Sequence, residues 1–231
     1  MRLDQSSRSV PEVDVTDLSG GRWAPRRLQA ILRWEGLRGV VGRALALLGW
    51  ERYLVFVRGL DELVAPSMSM PLVDITELGP DDAERYAALR PGGSSLFRDR
   101  LRAGYACFAV WQAGRIVAVT WVVVGAVRIE GWRRTYLLDP DEIFLRDSFT
   151  AAEQRGQRLS AALVATIAAT YRDRGYRRAI CLIAPHNRSS LRSHERSGFR
   201  RIGAVSSFPM KPNRTADFES VLTTWGDGRS S

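Results

Sequence analysis

Along most of the chain, hydrophobic positions come in short runs of strand length punctuated by turn residues; in one stretch they recur every fourth residue. Residues 105–111 and 115–124 are two apolar-rich runs separated by Gln112-Ala113-Gly114, a spacing and turn chemistry that predicts a tight hairpin. The second run continues past Gly125, where a bulge or bend is expected, to residue 129, and residues 133–138 form a further candidate strand. An apolar run over 142–149 reads as a strand that breaks at Thr150-Ala151-Ala152. Then Leu159, Leu163, Ile167 and Tyr171 recur at the spacing of one helical face. Residues 177–184 read as the next strand, 187–197 as a helix ended by Gly198, and 199–205 as a last strand.

Before the hairpin, Pro80-Asp81-Asp82 opens a helix carried by residues 83–89, and residues 96–102 form a second short one. Residues 52–57 read as a buried or paired strand, and Pro66 and Pro71 bracket a linker. Residues 1–24 are polar and mixed, a loose arm. Residues 25–50 carry apolar helical faces (Leu28, Ile31, Leu32, Leu45, Leu48) flanked by Arg26, Arg27 and Arg33, while Gly36, Gly39 and Gly42 divide them. We therefore divide the chain into an arm (1–24), an amphipathic extension (25–65), a main domain (72–210) and a flexible tail (213–231). The extension either packs on the domain or on a second subunit, as in a homodimer, or lies on an anionic membrane surface.

Composition narrows the class. With 231 residues, 45% of them hydrophobic, the chain builds one good-sized core. No apolar run approaches the ~20 residues that span a bilayer, and the N-terminus lacks a secretory core. Cys107 and Cys181 sit in apolar runs and read as buried thiols, which suits the cytoplasm. Two histidines and no cysteine cluster argue against a metal site. The net charge of +9 is carried almost wholly by arginine, Lys211 being the only lysine. A positive surface attracts nucleotide phosphates, nucleic acid or anionic lipid, and a high-GC genome produces the same arginine bias. No strand face interleaves aromatics with arginines, so no nucleic-acid partner is expected.

The turn into the four-residue recurrence carries chemistry. Gln154-Arg155-Gly156-Gln157-Arg158-Leu159-Ser160 places arginines, a glycine and a small residue at a helix start. There the first N–H groups lack intrahelical partners and the helix dipole is positive, an arrangement that holds phosphate. This strand–turn–helix resembles the cofactor-binding core of the GNAT superfamily of acyl-CoA-dependent N-acyltransferases. Their Arg/Gln-x-x-Gly-x-Gly/Ala signature corresponds to Arg155 through Ser160. Two positions depart from it: Arg158 stands where a glycine is usual, and Ser160 replaces Gly or Ala. After the strand at 177–184, Asn187, Ser190 and Gly198-Phe199 match a second element of that family.

The resemblance implies an α/β (α+β) GNAT fold, a mixed central sheet flanked by helices with an N-terminal helical and strand extension. It implies acetyl-CoA, or another acyl-CoA, as co-substrate, an amine of a small molecule or protein as acceptor, and no metal. It places the pyrophosphate on the backbone of Arg155, Gly156, Gln157, Arg158, Leu159 and Ser160. The N–H groups of Phe149 and Thr150 would pair with the pantetheine amides, and a backbone N–H near Phe149 would hold the oxyanion. Asn187 would bond the pantetheine arm or cap its helix, and Ser190 would face the cofactor. His194 occupies the position of a family tyrosine that protonates the departing thiolate, a task within reach of an imidazole; it also fits a solvated helix face. Attack requires a neutral amine, so a carboxylate or water chain must take its proton. The carboxylates on the central strand are Glu142, at its start, and Asp147, near where strands should splay; Asp147 serves as base or amine-binding charge, or pairs with an arginine. Arg98, Arg100 and Arg102 point to an anionic acceptor or a solvated helix face. A module that keeps the fold for binding or regulation without catalysis is the alternative.

Overall fold

The computed structural model describes residues 51–62, 73–129 and 134–207. The expected arm, the residue 25–50 faces, the linker and the tail from 213 lie outside them. Alternating side chains on each strand bury one set on either face of a seven-stranded sheet, ordered β2-β3-β4-β7-β8-β1-β9. Its strands are β1 (Glu51–Gly59), β2 (Asp74–Glu77), β3 (Ala106–Gln112), β4 (Arg115–Val124), β7 (Glu142–Thr150), β8 (Arg178–Ile183) and β9 (Arg200–Ser207). Every pairing is antiparallel except β7 with β8. Two further strands, β5 (Ala126–Ile129) and β6 (Arg134–Leu137), among the described residues pair only with each other. This mixed α/β architecture is the expected class.

The hairpin between β3 and β4 forms with Ala113 (φ 48°) and Gly114 (φ 71°) both left-handed, as its two-residue loop requires. Gly125 (φ 73°) does more than bend the second strand: the chain leaves the main sheet there, so the stretch expected to continue β4 becomes β5. Helices α1 (Ala83–Leu89) and α2 (Ser94–Arg102) cover one face through Tyr86 and Phe97, which pack on Trp121. Beside them, β5 and β6 lay Val127 and Tyr136 on Val55, Val57 and Phe144. The opposite face is covered by α3 (Leu159–Asp173), whose Leu159, Leu163, Ile167 and Tyr171 are all buried, as their spacing predicts. Helix α4 (Arg188–Arg196) packs beside it. Both cysteines are free and buried, and burial pushes both thiols up.

The strand expected at 52–57 is β1, and its position corrects the expected division of the chain. It lies inside the sheet, paired with β8 on one edge (Leu54↔Ile183) and β9 on the other (Leu54↔Ala204). These residues belong to the main domain rather than to an extension before it. Among the described residues no helix is long and apolar enough to cross a membrane.

Candidate active site

The parallel pairing of β7 with β8 runs from Glu142↔Arg178 to Leu145↔Cys181 and stops. One residue further, β7 bulges: Arg146 is opposite Trp121 and Phe149 opposite Val119, so Asp147 and Ser148 share the single partner position of Thr120. Asp147 takes a left-handed φ of 48°, and the Thr120 hydroxyl donates to Ser148 Oγ at 3.0 Å. The strand turns its edge away from β8, and the ends of α3 and α4 face the gap. The splay expected near Asp147 is therefore present.

A cavity of about 770 Å³ occupies this gap. From β7 it is lined by Ser148, Phe149 and Thr150, and from the following turn by Gln154, Arg155 and Gly156. The start of α3 contributes Arg158, Leu159, Ser160 and Ala161; Asn187 and α4 contribute Ser190, Ser193, His194 and three neighbours. Every residue expected to bind cofactor lines it except Gln157, which is held by hydrogen bonds to Gln154 (2.7 Å) and Gln112 (3.4 Å).

Local backbone explains the departures from the glycine pattern. Gly156 has φ 86° and Arg158, the residue preceding α3, has φ 61°. Glycine adopts that conformation freely, whereas arginine there stores about 1 kcal/mol. The position usually held by glycine thus keeps glycine's backbone while presenting a guanidinium. No side chain caps α3, and Arg158 O accepts from Ala161 and Ala162, which leaves the preceding N–H groups at the cavity for an anion. Arg155 Nε donates to Thr150 O at 3.4 Å, tying the turn to the strand end.

Helix α4 forms the facing wall. Asn187 Oδ1 accepts from Ser190 N at 3.1 Å, so its oxygen caps the helix. Ser193 Oγ donates to Ser160 Oγ at 3.3 Å, joining the two helices through small side chains. His194 is 5% exposed, with Nδ1 2.8 Å from Ser190 O and 3.3 Å from Ser190 Oγ, and its ring packs edge-on against Phe199. Burial lowers its pKa from the usual value, and the Ser190 carbonyl opposes that shift only in part. It is not the solvated helix residue that was the alternative.

The two carboxylate candidates fare differently. Asp147 adjoins the cavity but is held in ion pairs, by Arg100 Nη2 and by Arg146 Nε at 3.5 Å. Withdrawal from water pushes its carboxyl up; Arg100, Arg146 and Arg90 outweigh that and hold it below its usual value. A carboxylate so stabilised is a weak base. Arg100, 7% exposed, is accordingly no solvated residue, while Arg98 and Arg102 pair with Glu84 and Asp99 at the surface.

Glu142 does not reach the site. Six residues before Ser148, it lies about 20 Å away along the strand at roughly 3.3 Å per residue. It is buried, with Oε1 2.9 Å from Arg178 Nη2 and Oε2 accepting from Asp139 N at 3.0 Å. Burial pushes its carboxyl up, against the Asp139 N–H and Arg178. It fastens β7 to β8 and to the preceding turn. Glu142→Ala is expected to cost about 2 kcal/mol by stranding the Asp139 N–H and removing one carboxylate from Arg178, less than breaking a fully buried pair because Arg178 keeps Asp139. Glu142→Gln should cost less than about 1 kcal/mol, since burial already favours the neutral group. Denaturant midpoints of the two variants check this ordering.

Several lining residues escaped the sequence reading, among them Ser148, Arg188 and Ser193. Ser193 had a signal: Asn187, Ser190, Ser193 and His194 follow the spacing of one helical face.

The acetyltransferase (GNAT) family model matches residues 75–199, more than half of the chain. A GNAT-family acetyltransferase structure from Novosphingobium aromaticivorans is 24% identical, with 68% of this chain and 62% of that one covered and a TM-score of 0.49. A GNAT-family acetyltransferase from Colwellia psychrerythraea is 13% identical, with 68% and 55% covered and a TM-score of 0.50. A glucosamine N-acetyltransferase region of a fungal multi-domain β-N-acetylglucosaminidase is 13% identical, with 73% and 22% covered and a TM-score of 0.50. The aligned part is thus less than two thirds of each of these three chains. No curated protein matches the chain.

Proposed function

The chain belongs to the acetyltransferase (GNAT) family, and we propose that it transfers an acetyl group from acetyl-CoA to a primary amine by direct attack in a ternary complex. One observation carries this reading: the cavity opens where β7 parts from β8 and is closed by the uncapped start of α3, all inside the family-matched residues. The shape and donors suit a nucleotide with an extended arm. The N–H groups opening α3, with Arg155 and Arg158, would take the pyrophosphate. The β7 edge at Phe149 and Thr150, which among the described residues has no strand partner on the β8 side, would pair with the pantetheine amides. A backbone N–H near Phe149 would hold the carbonyl oxygen as charge develops. The acceptor would meet the thioester where the cavity adjoins the β7 bulge, at Ser148 and Phe149. The buried free thiols suit a reducing cytoplasm.

Calorimetry with acetyl-CoA, and thiol release with ethanolamine, spermidine, glucosamine and a short peptide, tests the reading. Binding below about 1 mM with thiol release for at least one amine is expected. Failure to bind below that concentration sinks the enzyme reading; binding without release for any amine assigns the chain to the non-catalytic module.

A further inference from the structure

Acyl transfer to an amine moves one proton out and one proton in: the attacking nitrogen must lose one and the departing sulfur gains one. In the acyl-transfer reading the amine meets the thioester in this cavity, so the groups that line it are the first candidates to carry the proton. Among the described residues the lining side chains are serine, threonine, amide, arginine and apolar residues, with His194 the exception. No carboxylate, tyrosine, cysteine or lysine is among them. Asp147 is committed to Arg100 and Arg146, and Glu142 is at the other end of β7. Arginine does not give up a proton near neutral pH.

The setting of His194 also says which nitrogen is available. The carbonyl of Ser190 only accepts, so Nδ1 at 2.8 Å carries the hydrogen and the neutral ring has its lone pair on Nε2. Contact with Phe199 fixes the ring plane. The charged residues that share the cavity lining with His194 are Arg188 and Arg196 on α4 and Arg155 and Arg158 on the facing turn, and Arg58 of β1 lies beside Gly198. Glu195, the adjacent carboxylate on α4, is exposed and does not line the cavity. Burial favours a neutral imidazole at rest, which is competent to accept a proton rather than to give one.

We propose that His194 serves as both base and acid: Nε2 takes the proton lost by the amine as its nitrogen bonds to the acyl carbon, then delivers it to the CoA sulfur as the C–S bond breaks. For an amine that reaches the thioester neutral, its ammonium proton already released to solvent, the proton count closes without a second group and the imidazole ends as it began. This rests on the acyl-transfer reading above; it keeps for His194 the acid role expected from the sequence and gives the same residue the base role expected of a carboxylate.

The sign of the pH dependence follows. The rate requires neutral His194, so kcat/KM should fall on the acid side as His194 protonates, below the ordinary histidine value of 6.5. Full-length His194→Asn keeps a donor to the Ser190 carbonyl, and His194→Gln extends an amide toward Nε2; neither titrates. With acetyl-CoA and whichever of the four amines reacts fastest, both variants should lose about 100-fold or more in kcat while acetyl-CoA affinity stays within about threefold. The acid limb assigned to His194 should vanish. Nitrogen-15 spectra of the parent protein should show the Nδ1–H tautomer at pH 7. Retention of rate within about tenfold in either variant with normal acetyl-CoA affinity, a persisting limb, or an Nε2–H or doubly protonated ring at pH 7 overturns the proposal. Loss of thiol release in the parent protein sinks the acyl-transfer reading itself, and this proposal with it.

Discussion

Ser160→Glu should bind CoA at least about 100-fold more weakly than the parent chain, equivalent to about 2.8 kcal/mol, while folding almost as well. Ser160 is the second residue of α3, at the cavity and at the positive end of the helix. A carboxylate there takes the N–H groups and the field intended for a pyrophosphate, and its extra atoms fill the space the phosphate needs. The same charge suits the helix, worth about 0.3–1 kcal/mol at such a position, and offsets loss of the hydroxyl contact with Ser193. Affinity and stability therefore separate. Calorimetry and a thermal midpoint measured together check it, with Ser160→Ala as the control, expected within about threefold of the parent because a neutral hydroxyl contributes little net. Affinity within about tenfold in Ser160→Glu would place the phosphates elsewhere.

Trp121→Ala should cost about 4 kcal/mol, within the range for deleting a large buried aromatic. The ring is fully buried, packs on Tyr86 at 5.8 Å and Phe97 at 5.5 Å, and receives the Arg100 guanidinium at 5.1 Å. Its Nε1 donates to Tyr86 Oη at 3.2 Å. One side chain thus clamps α1, α2 and the arginine that pairs with Asp147 onto the sheet beside the bulge. Trp121→Phe retains most of the burial but leaves the Tyr86 hydroxyl without its donor, for an expected cost of about 1.5 kcal/mol. Because Trp121 faces away from α3, folded Trp121→Phe should keep its CoA affinity. Urea denaturation gives the two costs, and an alanine variant within about 1 kcal/mol of the parent would mean the clamp is not there.

What the sequence revealed was what its neighbours along the chain determine. The α3 face at Leu159, Leu163, Ile167 and Tyr171, the Ala113-Gly114 turn, the Asn187 cap and the left-handed Gly198 (φ 83°) are all local consequences of side-chain spacing or backbone freedom. The cavity's two walls were legible for the same reason, since each begins a helix. Non-local choices were not. Asp147 adopts a conformation unusual for its type and meets Arg100, 47 residues before it, which no local rule foresees. Glu142 and Asp147 share one strand, and their positions along it favour Asp147 only slightly as base; the register of β7 against β8 reveals that Glu142 pins the sheet while Asp147 borders the site. The role of β5 was hidden too, since its alternation fits a strand in either sheet.

The position of β1 has a consequence for how the molecule is made. Leu54 leaves the ribosome on the order of 130 residues before Ile183 and later still before Ala204, the residues it pairs with. At roughly 5–20 residues per second, β1 waits on the order of ten seconds with both edges bare. Meanwhile β2, β3, β4 and β7 can assemble through the β3–β4 hairpin and connections that carry α1, α2, β5 and β6. The half of the sheet holding β8, β1 and β9 closes last, through distant contacts that slow folding. Helix α4, which joins β8 to β9 and carries His194, belongs to that late half, so CoA present during synthesis should favour completion of the wall that binds it.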